Sequence, residues 1–209
     1  MFAQLTFDRG FKIVLGTEGR SEKILIPLLN RILNLRIVEV QFLQTEKMGL
    51  TEEDAKSVFD VYCKDEYGRR FLVEMQMGGQ RYFNMRSSLY LSLAVLDQVR
   101  DAKRRCAELK EEWDYRFEPV YVIAFLNQRN NISEDPDDPR VNPYVSRYIT
   151  RSIATGKDLE DGTNRVFIDL YRFRKTFEEC SDDLERWLFS IKNMHLLKES
   201  PDGIGGMES

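Results

Sequence analysis

The chain has 209 residues, of which 42% are hydrophobic and 32% are charged, a composition typical of a globular protein with one full core. The net charge of −4 excludes a surface that is basic throughout, so any contact with nucleic acid has to be local. Three widely spaced cysteines indicate reduced thiols, and every apolar run is shorter than the ~18 residues of a membrane span. We therefore expect a cytoplasmic location and no membrane partner.

The first half of the chain predicts one helix and three strands. Apolar residues at helical spacing indicate a helix over 21–35, in which Pro27 either causes a kink or lies in the first turn. A run rich in β-branched residues over 36–45 predicts the first strand. Residues 57–63 and 71–77 predict the second and third strands, and the polar turn between them makes the pair a hairpin.

The second half predicts two helices and three more strands. A long helix is expected over 80–113, and the apolar run of 119–126 is typical of a buried strand. Beyond a loop rich in Pro and Asp, 144–151 and 165–173 indicate another strand pair, and a last helix begins near Ser181 as its cap. The apolar face of the long helix is expected to comprise Leu89, Leu93, Leu96, Ala102, Cys106 and Leu109.

The hairpin carries the candidate site. A turn centred near Tyr67 pairs residues whose numbers sum to about 134, which sets Asp60 opposite Glu74 with Cβ atoms about 4.5–5.5 Å apart. Gln76 shares that face because strand side chains alternate with a period of two. The residues expected on the opposite, core-facing side are Phe59, Val61, Val73 and Met75.

Two facing carboxylates within apolar strands repel each other, and a divalent cation would offset that repulsion. The alternative is a hairpin with one solvated face, on which charged residues also alternate. The choice between these two interpretations depends on the rest of the chain.

Five motifs connect the hairpin with its surroundings. They are Asp8-x-x-Phe11-Lys12, Gly16-Thr17-Glu18, Val73-Glu74-Met75-Gln76, Phe83-x-x-Arg86-x-x-x-Tyr90 and Pro119-Val120-Tyr121-x-Ile123. Together they resemble the PD-(D/E)xK nuclease family transposases, relatives of the recombination-promoting nucleases of bacteria. The order of the elements, with an acidic residue on the second strand and Glu-x-polar on the third, resembles the core of the restriction-endonuclease-like fold.

The resemblance implies an α/β fold with a restriction-endonuclease-like mixed sheet, built as an α-β-β-β-α-β core with an added C-terminal β-β-α extension. One domain is expected over residues 1–199, with the core over about 7–127 and the extension over about 143–199. The remaining residues, 200–209, are expected to be a disordered tail.

The function that the resemblance implies is a Mg²⁺-dependent DNA endonuclease, with Mn²⁺ as a substitute ion and double-stranded DNA as partner, in recombination or mobile-element biology. Such an enzyme hydrolyses phosphodiester bonds. The catalytic residues would be Asp60, Glu74 and Gln76, the metal ligands Asp60, Glu74, the Met75 carbonyl and Glu18, and the substrate-binding residues Arg86, Tyr90 and Arg81.

One position departs from the broader fold, because Gln76 stands where related nucleases usually have lysine. An amide cannot act as a general base, so Gln76 is expected to orient the attacking water while the metal activates it. Two alternatives stay open: a catalytically silent module that binds protein or nucleic acid on the same fold, and an RNA-directed nuclease. Whether the chain forms a homodimer is also open.

Overall fold

A computed structural model describes residues 8–44, 59–77, 82–129, 138 and 141–193. None of the helices in these ranges combines the length and the apolar character needed to cross a membrane. In chain order the described elements are α1 (Asp8–Leu15), α2 (Glu22–Leu33), β1 (Val40–Phe42), β2 (Val61–Asp65), β3 (Arg70–Gln76), α3 (Phe83–Leu109), β4 (Val120–Leu126), β5 (Val145–Tyr148), β6 (Thr163–Asp169) and α4 (Asp183–Asn193).

The six strands form one mixed sheet in the order β1-β2-β3-β4-β6-β5. Strands β1, β2 and β3 pair antiparallel, β3, β4 and β6 run parallel, and β5 returns antiparallel at the edge. The predicted restriction-endonuclease-like mixed sheet is therefore confirmed. The two C-terminal strands join the same sheet, since β6 pairs with β4 along its whole length.

Helices cover both faces of the sheet. One face packs against α1, α2 and α4 and forms the largest apolar core. There the Phe11 ring of α1 lies edge-on to Phe125 of β4, with 5.6 Å between the ring centroids. On the other face, Tyr90 and Ala94 of α3 pack against Leu72 of β3. Odd-numbered residues of β3 therefore face the first layer, and even-numbered residues face α3.

The side of α3 that faces the sheet differs from the predicted one. Leu89, Leu96 and Leu109 are 51%, 40% and 67% exposed, whereas aromatic and small residues are buried. Small side chains let the helix approach the sheet closely, and the Gln98 amide satisfies the backbone of Glu118 before β4. The predicted core face was wrong at Leu89, Leu96 and Leu109, whereas Ala102 is buried and Leu93 is partly buried against the cluster under the helix. The buried residues of α3 are Phe83, Ser87, Tyr90, Leu91, Ala94, Gln98 and Ala102.

Some element boundaries also differ from the prediction. Helix α1 was not predicted, and α2 continues through Pro27 without ending there. Strand β1 is only three residues long. Helix α4 begins after Asp182, whose Oδ1 accepts a hydrogen bond of 2.9 Å from the Glu185 N–H. Asp182 therefore caps this helix in place of the expected Ser181, because its carboxylate reaches a backbone donor of the first turn.

Arg70 of β3 ties α3 to the hairpin. Its side chain is 4% exposed, and Nη1 donates hydrogen bonds to the Tyr62 hydroxyl at 2.7 Å and to Asp97 Oδ2 at 2.5 Å. Nη2 donates to Asp101 Oδ2 at 2.9 Å, one turn further along α3. This network fixes the position of α3 over the sheet, and the same helix carries two of the candidate substrate-binding residues.

Candidate active site

The register of the hairpin agrees with the prediction. Val61 pairs with Val73 and Cys63 with Phe71, so the paired numbers sum to 134, and continuing this ladder by one residue sets Asp60 opposite Glu74. The strand itself begins at Val61, whereas the prediction began it at residue 57; Ser57 and Val58 lie outside the described residues. The chain bends at Asp60, which gives this carboxylate a different environment from that of a strand residue.

Phe59 shows the effect of the bend. Its ring packs edge-on against Tyr90 of α3, with 4.5 Å between the centroids, and belongs to the apolar cluster under that helix. The prediction placed Phe59 on the opposite face together with Val61, and this was wrong because alternation holds only within the extended strand. Val61, Val73 and Met75 do lie in the core under α1 and α2, as expected.

The antiparallel hydrogen-bond ladder between β2 and β3 ends at Asp60, whose side chain replaces a backbone carbonyl as the acceptor. Its Oδ2 accepts a hydrogen bond of 2.8 Å from the Met75 N–H, at the position where the next ladder bond would fall. In β3 the even-numbered residues bond to β4, since Arg70 N donates to Pro119 O and Gln76 O accepts from Asn127 N. The N–H and C=O of one strand residue point to the same side. The Met75 carbonyl is therefore directed towards Asp60 and away from β4.

Glu74 meets α3 beneath the helix's first turns. The residue is 5% exposed, and its Oε1 accepts a hydrogen bond from Arg86 Nη2 in an ion pair. Arg86 Nε also donates to the Tyr90 hydroxyl, and the guanidinium lies 5.1 Å from the centroid of the Tyr90 ring. Burial, and next the nearby Glu74 charge, raise the pKa of Tyr90, so its hydroxyl remains neutral. Glu74, Arg86 and Tyr90 thus form one connected group.

Gln76 is buried two residues beyond Glu74, and the two side chains share the face of β3 that meets α3. Glu18 is exposed in the turn between α1 and α2. That turn reaches the site through Gly16, where a Cβ would lie 3.2 Å from the Asp60 carbonyl oxygen and 2.7 Å from that of Lys12. Only glycine fits this close approach. Arg81 lies outside the described residues.

The donor set suits a hard divalent cation with few protein ligands. The oxygen donors available at the end of the hairpin are the carboxylates of Asp60 and Glu74 and the Met75 carbonyl, and oxygen donors are the ligands that Mg²⁺ prefers. The ranges that the structure describes contain no group of three or more His, Cys, Asp and Glu that could hold a metal. An ion here would therefore keep several waters, which is the usual state of protein-bound Mg²⁺.

The chain matches the family model described as PD-(D/E)XK nuclease family transposase over residues 5–204. The chain belongs to this family. Searches of the curated proteins and of the solved structures gave no match. Membership supports a nuclease-like function with a nucleic acid as substrate, and PD-(D/E)XK nucleases generally use divalent metals.

The carboxyl ends of the parallel strands β3, β4 and β6 lie next to one another, at the same end of the sheet as the hairpin site of this PD-(D/E)XK protein. The register of the sheet sets Gln76, Leu126 and Asp169 in one row. Neither Asp169 nor the residues after it were among the functional residues predicted from the sequence. The signal that was available is a basic and aromatic run directly after β6, Tyr171-Arg172-Phe173-Arg174-Lys175.

The Arg86 ion pair leads to a prediction about stability in this PD-(D/E)XK site. Replacing Arg86 by methionine removes the cation that faces a buried carboxylate, so we expect the metal-free protein to lose about 2 kcal/mol of unfolding free energy. Because Mg²⁺ would compensate the same carboxylate, it is expected to raise Tm more in Arg86→Met than in the wild type. Thermal unfolding with and without Mg²⁺ measures both effects.

The control for this prediction is Arg86→Lys, which keeps the positive charge and is expected to keep most of the stability. Equal Tm values for Arg86→Met and the wild type would show that the ion pair does not neutralise Glu74 in solution.

Proposed function

We propose that this protein is a Mg²⁺-dependent endonuclease that hydrolyses phosphodiester bonds of double-stranded DNA, in recombination or the mobility of genetic elements. The observation that carries the proposal is the Asp60 carboxylate, which accepts the Met75 N–H at the end of the β2–β3 ladder, one register position from the buried Glu74. An acidic side chain at the end of a ladder, next in register to a buried glutamate, contributes little to an apolar core. The same arrangement is a good set of oxygen ligands.

In this proposal Asp60, Glu74 and the Met75 carbonyl hold the ion. Glu18 remains a proposed further ligand. It would reach the ion through a bridging water, or directly after a conformational change in the turn that contains Gly16. When bound, Mg²⁺ would supply a more acidic water and neutralise charge on the phosphate. The catalytic roles of the protein then fall to the three residues Asp60, Glu74 and Gln76.

Gln76 positions water in this proposal. Its amide is neutral, offers two donor hydrogens and one acceptor oxygen, and lies on the same face of β3 as Glu74. It has no proton to gain or lose near neutral pH, so it orients the attacking water without activating it.

Arg86 and Tyr90 are proposed to bind and position the phosphate of the substrate. In the metal-free protein Arg86 compensates Glu74, so its guanidinium lies beside a proposed metal ligand. The hydroxyl and ring of Tyr90 hold the guanidinium in place. Arg81, in the segment before α3, is kept as a proposed third contact. Phosphate contacts of this kind position a duplex and do not read its sequence.

We also propose that residues 1–199 fold as one domain. The pairing of β6 with β4 supports this, because the C-terminal strands then complete the sheet that holds the site.

The experiment that tests the proposed function is cleavage of supercoiled plasmid and of a labelled linear duplex by the purified full chain. We expect nicking or linearisation with Mg²⁺ or Mn²⁺ and none with EDTA. A single-stranded RNA of the same sequence, offered in parallel, distinguishes a DNase from an RNA-directed enzyme. Metal-independent cleavage would contradict the proposal.

Gln76 gives a graded prediction for the same assay. We expect Gln76→Ala to slow cleavage by about 10²-fold, the loss typical of one oriented polar group. Gln76→Lys is expected to retain activity, because lysine can hold the same water and adds a positive charge near the phosphate. The measurement is the single-turnover rate at saturating Mg²⁺, and a Gln76→Ala variant as fast as the wild type would exclude the water-positioning role.

A further inference from the structure

A basic segment follows the carboxyl end of β6, which is separated from the active-site strand β3 by β4 alone. Residues 171–175 carry three cations in an otherwise acidic chain. Tyr171 is 39% exposed, the Arg172 side chain is 35% exposed, and Arg174 is exposed. None of these residues has a role in the proposed catalytic group.

Two backbone hydrogen bonds connect this segment with Gln76. Asn127 N donates to Gln76 O at 3.0 Å, and Tyr171 N donates to Leu126 O at 3.1 Å. The segment is therefore two strand positions away from the active-site strand, about 10 Å by the usual spacing of strands. That distance corresponds to roughly three nucleotides of rise along one DNA strand.

Arg172 is held on the face of the sheet that carries Gln76. Its N–H donates to Asp169 Oδ1 at 2.9 Å, and its Nε lies 3.4 Å from Asp169 Oδ2. Asp169 pairs with Leu126 in the sheet, and Leu126 belongs to the cluster under α3. A carboxylate that binds one edge of a guanidinium fixes its orientation, and the Arg172 side chain is still 35% exposed.

The segment is also rigid. Phe173 is buried and packs edge-on against Tyr144, with 5.0 Å between ring centroids. Lys192 of α4 donates hydrogen bonds of 2.6 Å to the carbonyls of Leu170 and Phe173. The Arg174 guanidinium lies 5.1 Å from the centroid of the Tyr171 ring, which limits its rotation. Fixed arginines lose little conformational entropy when they bind an anion.

We propose that Arg172 and Arg174 bind phosphates of the DNA strand that enters the active site, and that Asp169 and Tyr171 hold the two guanidinium groups in position. This inference rests on the proposed nuclease function and adds a binding track to it. The track would allow a chain with a net charge of −4 to contact a polyanion, because it sets two arginines along the proposed path of the substrate. The contacts are to the backbone and carry no sequence preference.

The test is the affinity of the full chain for a fluorescein-labelled 20-bp duplex in EDTA, measured by anisotropy over a range of salt concentrations. For Arg172→Gln/Arg174→Gln we expect affinity to fall at least tenfold at low salt. The slope of log K against log salt should become less steep by about 1.8, or 0.9 for each lost phosphate contact. Arg174→Gln alone removes an exposed side chain and should leave the fold intact. We expect it to make the salt slope less steep by about 0.9, the value for one phosphate contact.

The matched control is Arg100→Gln/Arg104→Gln, which removes the same charge from the exposed surface of α3. Arg104 lies 18 residues beyond Arg86, about 27 Å along the helix. The nearby Asp101 pairs with Arg70 at the start of β3, so Arg104 is far from the carboxyl ends of the parallel strands. This control is expected to change affinity by less than threefold and leave the salt slope unchanged.

Two results would overturn the track. If both double variants weaken binding equally, or neither does, the contact is a general charge effect or lies elsewhere. Plasmid cleavage by the wild type then shows whether the nuclease proposal survives this failure. A wild-type protein that neither binds the duplex nor cleaves plasmid would overturn both proposals.

Discussion

Replacing Asp60 or Glu74 by alanine is expected to reduce DNA cleavage by roughly 10³-fold or more, a larger loss than that of one oriented polar group. Each substitution removes one of the two carboxylates proposed as metal ligands, so the proposed site would no longer hold its ion. The single-turnover cleavage rate measures the effect. The double variant should be no slower than the worse single variant, because the two ligands act as a unit.

Asp60→Asn provides the matched control for this prediction. The asparagine oxygen can still accept the Met75 N–H, so the ladder end and the free energy of unfolding are expected to stay close to those of the wild type. Asp60→Ala loses that acceptor and is expected to cost about 1 kcal/mol. Both variants should be inactive, which separates the charge of Asp60 from its structural contact.

Undiminished cleavage by Asp60→Ala would show that the observed nuclease activity comes from elsewhere. The preferred interpretation would then be the catalytically silent binding module, with the Arg86–Glu74 ion pair as a permanent structural contact.

Removing the buried Arg70 side chain is expected to lower the free energy of unfolding by about 2–3 kcal/mol, the cost of losing hydrogen bonds to charged groups, because Asp97 and Asp101 are 18% and 40% exposed and stay partly solvated. Arg70→Ala leaves Asp97 and Asp101 one turn apart on α3 with no cation between them, and leaves the Tyr62 hydroxyl without its charged donor. Equilibrium unfolding in urea measures the loss.

Arg104→Ala is the control, since Arg104 pairs with the same Asp101 but is 70% exposed. We expect a change within about 0.5 kcal/mol there. Arg70→Met combined with Asp97→Leu should recover part of the lost stability, because apolar side chains can replace a whole buried ion pair. Similar effects of Arg70→Ala and Arg104→Ala would mean that the network contributes little.

The sequence was sufficient for those parts of the fold that depend on local pattern. Alternation in two short strands and a polar turn determined the hairpin register to the residue, and the unbroken apolar run after Pro119 identified the central strand β4. Both signals arise from burial and backbone pairing, which follow directly from side-chain type.

The parts that the sequence did not reveal depend on contacts between distant segments. The face of α3 is selected by how closely the helix approaches the sheet and by the Gln98 amide, not by the number of leucines. The bend at Asp60 follows from a side chain that takes the place of a backbone acceptor. Arg172 lies near Gln76 only because β6 is added beside β4, a crossover that no local pattern specifies.

The pairing of β6 with β4 also determines how far the chain can be shortened. β4 has seven consecutive apolar residues, Val120–Leu126, and β6 satisfies the backbone groups along one of its sides. A chain ending near residue 127 would present this strand as a long, apolar, unprotected edge, the kind that pairs with other molecules and aggregates. Attempts to isolate the β2–β3 hairpin and α3 as a minimal nuclease should therefore retain the C-terminal strands.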